Sequence, residues 1–233
     1  MTCSCPAASS TLTGLKVRTE TLTKGTRLWR FHGWNAASKQ FPADNFNPYP
    51  KKNWTLSEEG PRFSPFPLEL TDKHYVPALY AAEKAEHAAL ESVFHDVLHA
   101  PNQRVSQRLL ESSAWHLSEL EVLTDAKILH LANPNLAQVP VTGRPISLTE
   151  GELLQSWPEY YAQTRAWARL LYLALPEVQG FRFHSRKASE PAYVLYEGRG
   201  LSVKAFGSPQ SITDPKVWKI VAKAAARAHI EMV

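Results

Sequence analysis

The order in which strand-like and helix-like segments follow one another is the sequence feature that most constrains the fold. Short apolar runs bounded by Gly, Pro or polar turn residues predict strands, and longer runs with apolar residues at helical spacing predict helices. Strands are predicted at residues 26–32, 62–63, 78–82, 117–122, 127–131, 181–184 and 193–196, and helices at 84–99, 159–175 and from 214 onward. Because strands and helices do not alternate regularly, the pattern predicts a mixed α+β fold rather than a doubly wound parallel sheet.

The chain is long and apolar enough to bury a sizeable core. It has 233 residues, of which 44% are hydrophobic, and it contains seven tryptophans. A chain of this length fits one large domain, and no internal repeat or sharp change of composition divides it. The sequence therefore predicts an N-terminal tail over residues 1–24 and a single domain over residues 25–233.

The charge of the chain is mildly positive and scattered. The 26 Lys and Arg residues against 22 Asp and Glu give a net charge of +4. This excess suits an anionic partner, but it does not separate a nucleic acid from a nucleotide or an acidic protein. Because the positive residues are scattered, no direct binding to nucleic acid is expected.

The cysteines and the start of the chain indicate a cellular compartment. Cys3 and Cys5 both lie in the predicted tail, which is too few and too local for a disulfide framework or, by themselves, for a zinc site. The first residues do not resemble a secretory signal, and no apolar run reaches the about eighteen residues that a membrane span needs. These features favour a cytoplasmic protein with no membrane partner.

Glu91 is the first candidate for chemistry, because it falls on or beside the apolar stripe of the predicted helix 84–99. A carboxylate in such a place is costly to desolvate unless it is paired or faces a cleft. The alternative is a carboxylate at the edge of the stripe that reaches out to a Lys or Arg. His87, His95 and His99 lie on the same helix, but the HExxH order is absent and no third ligand is evident, so no metal is expected.

Two arginines and a serine complete the set of candidates. Arg30 and Arg62 are each embedded among aromatic residues, so each needs an anionic ligand or a buried carboxylate, and an ion pair with Glu91 is the structural alternative. Ser185 ends a predicted strand, where its hydroxyl either binds a ligand or is simply that of a strand-end serine. The G-x-S-x-G, Walker A and strand-linked G-x-G-x-x-G motifs are missing, which disfavours an α/β-hydrolase and the phosphate-cradling loops.

Several short segments occur in a characteristic order along the chain. They are GTRLWRFH, FNP, GPRFSPF, VPALYAAEKAEHAALESVF, HLSELEVLTDAKILHLA and GFRFHSRKASEPAYVLYEGR. In the fourth segment, a strand ending in Tyr80 precedes a helix whose Glu91 lies eleven positions later. In this order and spacing, residues 25–199 resemble the RES domain, a family named for an Arg, a Glu and a Ser, with Ser185 matching the serine. The chain departs from the family in having Gly-Pro-Arg-Phe where members often have Gly-Arg-Trp or Gly-Arg-Phe, and in a longer insertion after Arg62.

The resemblance implies mixed, mostly antiparallel sheets with flanking helices, similar to the ADP-ribosyltransferase toxins, and NAD⁺ as the substrate. It implies an intracellular toxin that cleaves NAD⁺ at the nicotinamide–ribose bond as a glycohydrolase or phosphorylase. Such a toxin is neutralised by a cognate helix-turn-helix antitoxin. Two alternatives stay open, namely an ADP-ribosyltransferase that modifies a protein target and a catalytically inactive interaction module.

The resemblance also implies a role for each candidate residue. Glu91 would stabilise the positive charge that develops on the ribose as the bond breaks. Arg30 and Arg62 would bind the pyrophosphate, since a planar guanidinium can hold two oxygens at once. Tyr80 would stack on the nicotinamide, and Ser185 would hydrogen-bond the ribose or the carboxamide. Glu91, Arg62 and Tyr80 are therefore the expected catalytic residues, and Arg30, Arg62, Tyr80 and Ser185 the expected NAD⁺-binding residues.

Overall fold

A computed structural model of the chain describes most of the predicted domain. The described residues are 17–33, 42–47, 61–64, 66–69, 75–95, 97, 102–131, 139–141, 144–146, 161–184 and 191–233. Four residues singled out in the sequence, Cys3, Cys5, His99 and Ser185, lie outside these ranges.

Within these ranges the chain forms short strands and four helices. The strands are β1 (Thr19–Leu22), β2 (Arg27–Gly33), β3 (Ala78–Ala82), β4 (Arg104–Val105), β5 (Trp115–Val122), β6 (Ala126–His130), β7 (Val139–Val141), β8 (Arg144–Ile146), β9 (Gly180–His184), β10 (Pro191–Tyr196), β11 (Val203–Ser211) and β12 (Glu231–Met232). The helices are α1 (Ala85–Glu91), α2 (Gln107–Glu111), α3 (Tyr161–Ala174) and α4 (Pro215–Arg227).

One eight-stranded sheet organises the fold, in the order β1-β6-β9-β10-β3-β2-β5-β11. Every neighbouring pair in it is antiparallel except β6 and β9, which run parallel. Two further two-stranded pairings join β7 to β8 and β12 to β4. This mixed, mostly antiparallel sheet with flanking helices confirms the predicted α+β class.

The main sheet has two different faces because side chains alternate along each strand. On β2, Trp29 and Phe31 pack into one core cluster with α1, α3 and α4, and we call this side of the sheet the helix-covered face. Leu28 points the other way, into a second cluster that also contains Ala43 and Phe46 from the segment 42–47. We call this side the opposite face. The face on which a polar side chain lies therefore decides which other groups it can reach.

Two of the predicted elements differ in the structure. The predicted strand at residues 62–63 is wrong, because these residues form a turn whose backbone groups bond to side chains instead of to a neighbouring strand. The predicted helix 84–99 ends earlier, at Glu91. Just beyond that end, the amide of Phe94 donates to the carbonyl of Ala89 at 3.0 Å, which is a wider turn than an α-helix makes and accompanies full burial of the Phe94 ring.

The sheet also takes in residues that the sequence assigned to the tail. The strand β1 pairs with β6, from Thr19 opposite Leu129 to Leu22 opposite Ala126. Its four residues are Thr-Glu-Thr-Leu, with Leu22 the single apolar side chain, so no alternating pattern marks the strand in the sequence. The division of the chain into a tail and a single domain stays a prediction, with this strand belonging to the sheet.

Candidate active site

Residues 61–64 form a turn that α3 holds by its backbone, and we call this segment the Arg62 turn. The Thr164 hydroxyl donates to the carbonyl of Arg62 at 2.6 Å. From the next residue of the helix, Nη1 of Arg165 donates to the carbonyl of Pro61 at 3.1 Å. Two successive carbonyls are thus bound by neighbouring residues of one helix, which fixes the path of the turn along α3.

The sheet holds the Arg62 turn from its other side. The Tyr196 hydroxyl donates to the carbonyl of Phe63 at 2.9 Å. The Tyr80 hydroxyl accepts from the amide of Phe63 at 3.0 Å and from the Ser64 hydroxyl at 3.2 Å. The helix-covered face therefore carries a tyrosine that the sequence singled out, and its hydroxyl positions the segment that contains Arg62.

The guanidinium of Arg62 is buried and has few hydrogen-bond partners among the described residues. The residue is 8% exposed, and its Nη2 donates one long hydrogen bond to the Tyr161 hydroxyl at 3.4 Å. Its charge also lies 5.3 Å from the centre of the Tyr161 ring. Its Nε is buried and has no hydrogen-bond partner among the described residues. A buried cation with unsatisfied donors is costly in the absence of an anion, so this group is suited to an anionic ligand.

Glu91 is half-buried at the last residue of α1. Within the described part of the chain, its carboxylate has neither a hydrogen bond nor an ion pair. The ion pair with Arg62 that was the structural alternative is therefore absent, and no Lys or Arg among the described residues forms an ion pair with Glu91. A negative charge at the C-terminal end of a helix also opposes the helix dipole. Among the described residues, the Glu91 carboxylate therefore makes no interaction that would stabilise the folded state.

The other polar residues on α1 are paired with α4. Glu86 accepts a hydrogen bond from Nζ of Lys223 at 2.6 Å, and this bond lowers the pKa of the Glu86 carboxyl below its usual value. His87 is fully buried, and its Nε2 lies 3.2 Å from Nη1 of Arg227. Glu91, in contrast, has no such partner among the described residues, so its charge is not engaged in holding α1 to α4.

A short chain of contacts leads from the end of α1 to Arg62. The turn after Glu91 includes His95, whose Nε2 lies 3.4 Å from the Tyr161 hydroxyl. The rings of His95 and Tyr161 are 5.9 Å apart between their centres. Because Tyr161 also contacts Arg62, the end of the helix that bears Glu91 and the buried guanidinium belong to one region of the protein.

A second buried arginine, which the sequence analysis missed, lies in the same region. Arg165 is 1% exposed, and burial lowers its pKa to about 10, while the nearby phenols of Tyr80 and Tyr161 act in the other direction. The signal was available, because Arg165 falls on the apolar side of α3 between Tyr161 and Ala168, just as Glu91 does on its own helix. The helix-covered face thus brings Arg62 and Arg165 together with Tyr80 and Tyr161.

The structure does not bring Arg30 to this region. By alternation with Trp29 and Phe31, the Arg30 side chain lies on the opposite face. There its Nη1 donates to the carbonyl of Ala43 at 2.7 Å and to that of Asn45 at 2.8 Å. The role of Arg30 in binding pyrophosphate stays a prediction, and its observed contacts anchor the segment 42–47.

Two absences concern only the described part of the chain. There, no group of three or more His, Cys, Asp or Glu residues is arranged to hold a metal ion. Over the same residues, none of the helices combines the length and the apolar character needed to cross a membrane. Ser185 directly follows β9 in the sequence but lies outside the described residues, so its role stays a prediction.

The fold and this region define a class of protein, namely an α+β domain with a buried cationic site between its sheet and its helices. Comparison with protein families matches residues 27–214 to the RES domain. Since this match covers most of the chain, the protein belongs to the RES domain family, and the resemblance seen in the sequence is confirmed.

Comparisons with curated proteins and with solved structures give no further information on function. Among curated proteins nothing matches. Among solved structures, a chain of the crystal structure of the M. tuberculosis MbcT–MbcA toxin–antitoxin complex is similar, with 16% sequence identity, a TM-score of 0.49, and coverage of 87% of this chain and 92% of that chain. At this identity and score, the similarity does not bear on function.

Proposed function

We propose that this protein is an intracellular toxin that cleaves NAD⁺ at the bond between nicotinamide and ribose. The proposal is supported by membership of the RES domain family together with one observation, the buried Arg62 guanidinium with an unpartnered Nε in the same region as the unpaired Glu91. Cleavage of a dinucleotide at its sugar needs two groups. One is a cation that binds the pyrophosphate, and the other is a carboxylate that is not engaged in a structural ion pair.

In the proposed reaction, the bond between the ribose and the pyridinium nitrogen breaks, and its electron pair goes to that nitrogen. Nicotinamide leaves as a neutral molecule, and the ribose becomes oxocarbenium-like. The Glu91 carboxylate stabilises this cation, and water or phosphate then attacks the same carbon, with a proton leaving the attacking group. Water gives ADP-ribose as a glycohydrolase does, and phosphate gives its phosphorylated form.

The cationic groups have a different task, which is to hold the pyrophosphate. Arg62 has a planar guanidinium that can bind two phosphate oxygens, and its buried place makes that contact stronger than it is in water. Tyr80 offers a partly exposed ring on the same face for the nicotinamide. Ser185 is proposed to bind the ribose or the carboxamide, in line with its match to the family.

The partner of the toxin is proposed to be a cognate helix-turn-helix antitoxin. The proposed site of action is the cytoplasm, where NAD⁺ is available. We expect expression of the chain alone to stop growth and lower cellular NAD⁺, and co-expression with the antitoxin to restore both. Normal growth and normal NAD⁺ with soluble, folded protein would instead favour an inactive interaction module.

The direct test is incubation of the purified chain with NAD⁺, with and without phosphate, and analysis of the products by NMR and mass spectrometry. We expect free nicotinamide in both cases, with ADP-ribose or its phosphorylated form identifying the acceptor. Nicotinamide release that needs a protein acceptor and adds ADP-ribose to it would support the ADP-ribosyltransferase alternative. Intact NAD⁺ with a folded protein would overturn the proposed activity.

A further inference from the structure

Tyr161 occupies a position that neither the sequence pattern nor the family resemblance singles out. It is the first residue of α3 and is almost fully buried. Its hydroxyl lies 3.4 Å from Nη2 of Arg62 and 3.4 Å from Nε2 of His95. The ring itself lies beneath the Arg62 charge, at 5.3 Å from centre to guanidinium carbon. Tyr161 is thus in contact with Arg62 through both its ring and its hydroxyl.

The direction of one of the two hydrogen bonds follows from the chemistry of the groups. A guanidinium can only donate, so the Tyr161 oxygen accepts from Arg62. The tautomer of His95 decides the other bond, and we take the ring hydrogen to lie on Nδ1, so that Nε2 accepts from the Tyr161 hydroxyl. In this arrangement His95 orients the hydroxyl of Tyr161, and Tyr161 orients the guanidinium of Arg62.

The contacts that hold the backbone of the Arg62 turn do not set the orientation of the Arg62 side chain. Thr164 and Arg165 fix the backbone of the turn through carbonyls, but these bonds do not reach the guanidinium of Arg62. Among the described residues, the Tyr161 hydroxyl is the one group that hydrogen-bonds its guanidinium. The aromatic ring adds a cation–π contact within the usual range of about 6 Å.

We propose that Tyr161 is a positioning residue that holds the Arg62 guanidinium ready for a diphosphate, with His95 fixing the Tyr161 hydroxyl. The inference rests on the proposed role of Arg62 in binding the pyrophosphate of NAD⁺. It assigns to the start of α3 and to the turn after α1 a part in substrate binding. Neither residue needs to take part in breaking the nicotinamide bond.

The test is the binding of two probes to the full chain by isothermal titration calorimetry, namely inorganic pyrophosphate and ADP-ribose. Neither probe can be turned over by cleavage of nicotinamide, so the measurement reports positioning alone. The Tyr161→Phe change removes one hydroxyl and keeps the ring. We expect it to weaken both probes by about three- to tenfold, which corresponds to loss of one hydrogen bond.

Tyr172→Phe is the matched control, because Tyr172 is also buried on α3 but its ring packs against Phe66 and Tyr196. We expect this change to leave both affinities as they are. In an Arg62→Lys background, where the planar fork is lost, the effect of Tyr161→Phe should shrink. Equal affinity of wild type and Tyr161→Phe, or an equal loss in both backgrounds, would overturn the inference.

His95 supplies a second pair of variants in case Tyr161→Phe folds poorly. Gln at position 95 keeps an acceptor for the Tyr161 hydroxyl, and Leu does not. We therefore expect His95→Leu to weaken probe binding and His95→Gln to restore most of it. Equal binding by the two variants would remove His95 from the inference and count against the proposed hydrogen-bond order.

The inference and the proposed function fail in different ways. Binding of both probes that depends on Arg62 and Tyr161, without release of nicotinamide from NAD⁺, would keep the inference and overturn the activity. Release of nicotinamide with probe binding that ignores Tyr161 would keep the activity and overturn the inference.

Discussion

Replacing Glu91 with Gln tests whether this carboxylate serves catalysis or structure, because the structure predicts opposite effects on activity and on stability. The change keeps the shape of the side chain and removes its charge. In the described residues the carboxylate has no partner to lose. A negative charge at the C-terminal end of a helix costs about 0.3–1 kcal/mol, so its removal should raise the free energy of unfolding by about that amount. In a chain of this size, the melting temperature should rise by about 1–4 °C.

Turnover should change in the other direction. If Glu91 stabilises a cationic ribose in the transition state, its charge contributes far more to the transition state than to the bound substrate. Removal of one such group typically lowers the rate by about 10²–10³, or about 3–4 kcal/mol. The loss should fall on kcat and leave KM for NAD⁺ largely as it is.

The assay is nicotinamide release and thermal melting measured on the same preparation. Glu86→Gln is the control, because Glu86 is the other carboxylate of α1 and its partner Lys223 is 73% exposed. An exposed ion pair of this kind is worth about 0–1 kcal/mol, so Glu86→Gln should lower stability slightly and keep turnover. A well-folded Glu91→Gln protein with normal turnover would refute the mechanism, and a lower melting temperature with normal turnover per folded molecule would make Glu91 structural.

Three other substitutions follow from contacts described above. Arg62→Ala should weaken NAD⁺ binding about ten- to a hundredfold by calorimetry with little loss of stability, since its guanidinium makes one long hydrogen bond; unchanged affinity would take Arg62 out of the site. Arg30→Ala should lower the free energy of unfolding by about 2–3 kcal/mol in a denaturant titration, because two hydrogen bonds from a charged donor are lost; unchanged NAD⁺ affinity of the folded variant would refute the predicted role of Arg30 in binding pyrophosphate. Gly180→Ala should cost about 1–3 kcal/mol in the same titration, because an added Cβ would lie 2.6 Å from the carbonyl oxygen of Val194 on the paired strand; wild-type stability would show that β9 and β10 can separate without cost.

Local patterns predicted the elements whose side chains alternate or repeat clearly. The strand β3 was predicted at its observed bounds, and α4 begins where Asp214 accepts from the amide of Lys216, as expected of a capping residue followed by Pro. The strand β11 was missed because Gly207 has a positive φ and the pairing with β5 shifts between Phe206 and Gln210. Such an irregularity breaks the period on which a prediction depends.

The candidate site was predictable only in part. Glu91 and Arg62 could be found because each is a charge in an apolar stretch, and such charges need a reason. The same argument applies to Arg165, which was overlooked within a helix that otherwise read as core. The role of Tyr161 had no local signal, because its contact with Arg62 joins residues 99 positions apart. Long-range contacts of this kind are set by packing of α3 against the sheet, which no single segment specifies.

The tethering of the Arg62 turn through its carbonyls has a consequence for how the sequence can vary. The side chains that hold the turn bond to the backbone oxygens of Pro61, Arg62 and Phe63, which every residue type possesses. A change of residue type at Pro61, whose side chain takes no part in these bonds, therefore leaves the anchors in place. The requirement for particular residue types moves instead to distant positions, Thr164, Arg165 and Tyr196. A substitution survey should accordingly find the turn tolerant at Pro61, and intolerant at these three remote residues and at Phe63, whose ring is buried in the core.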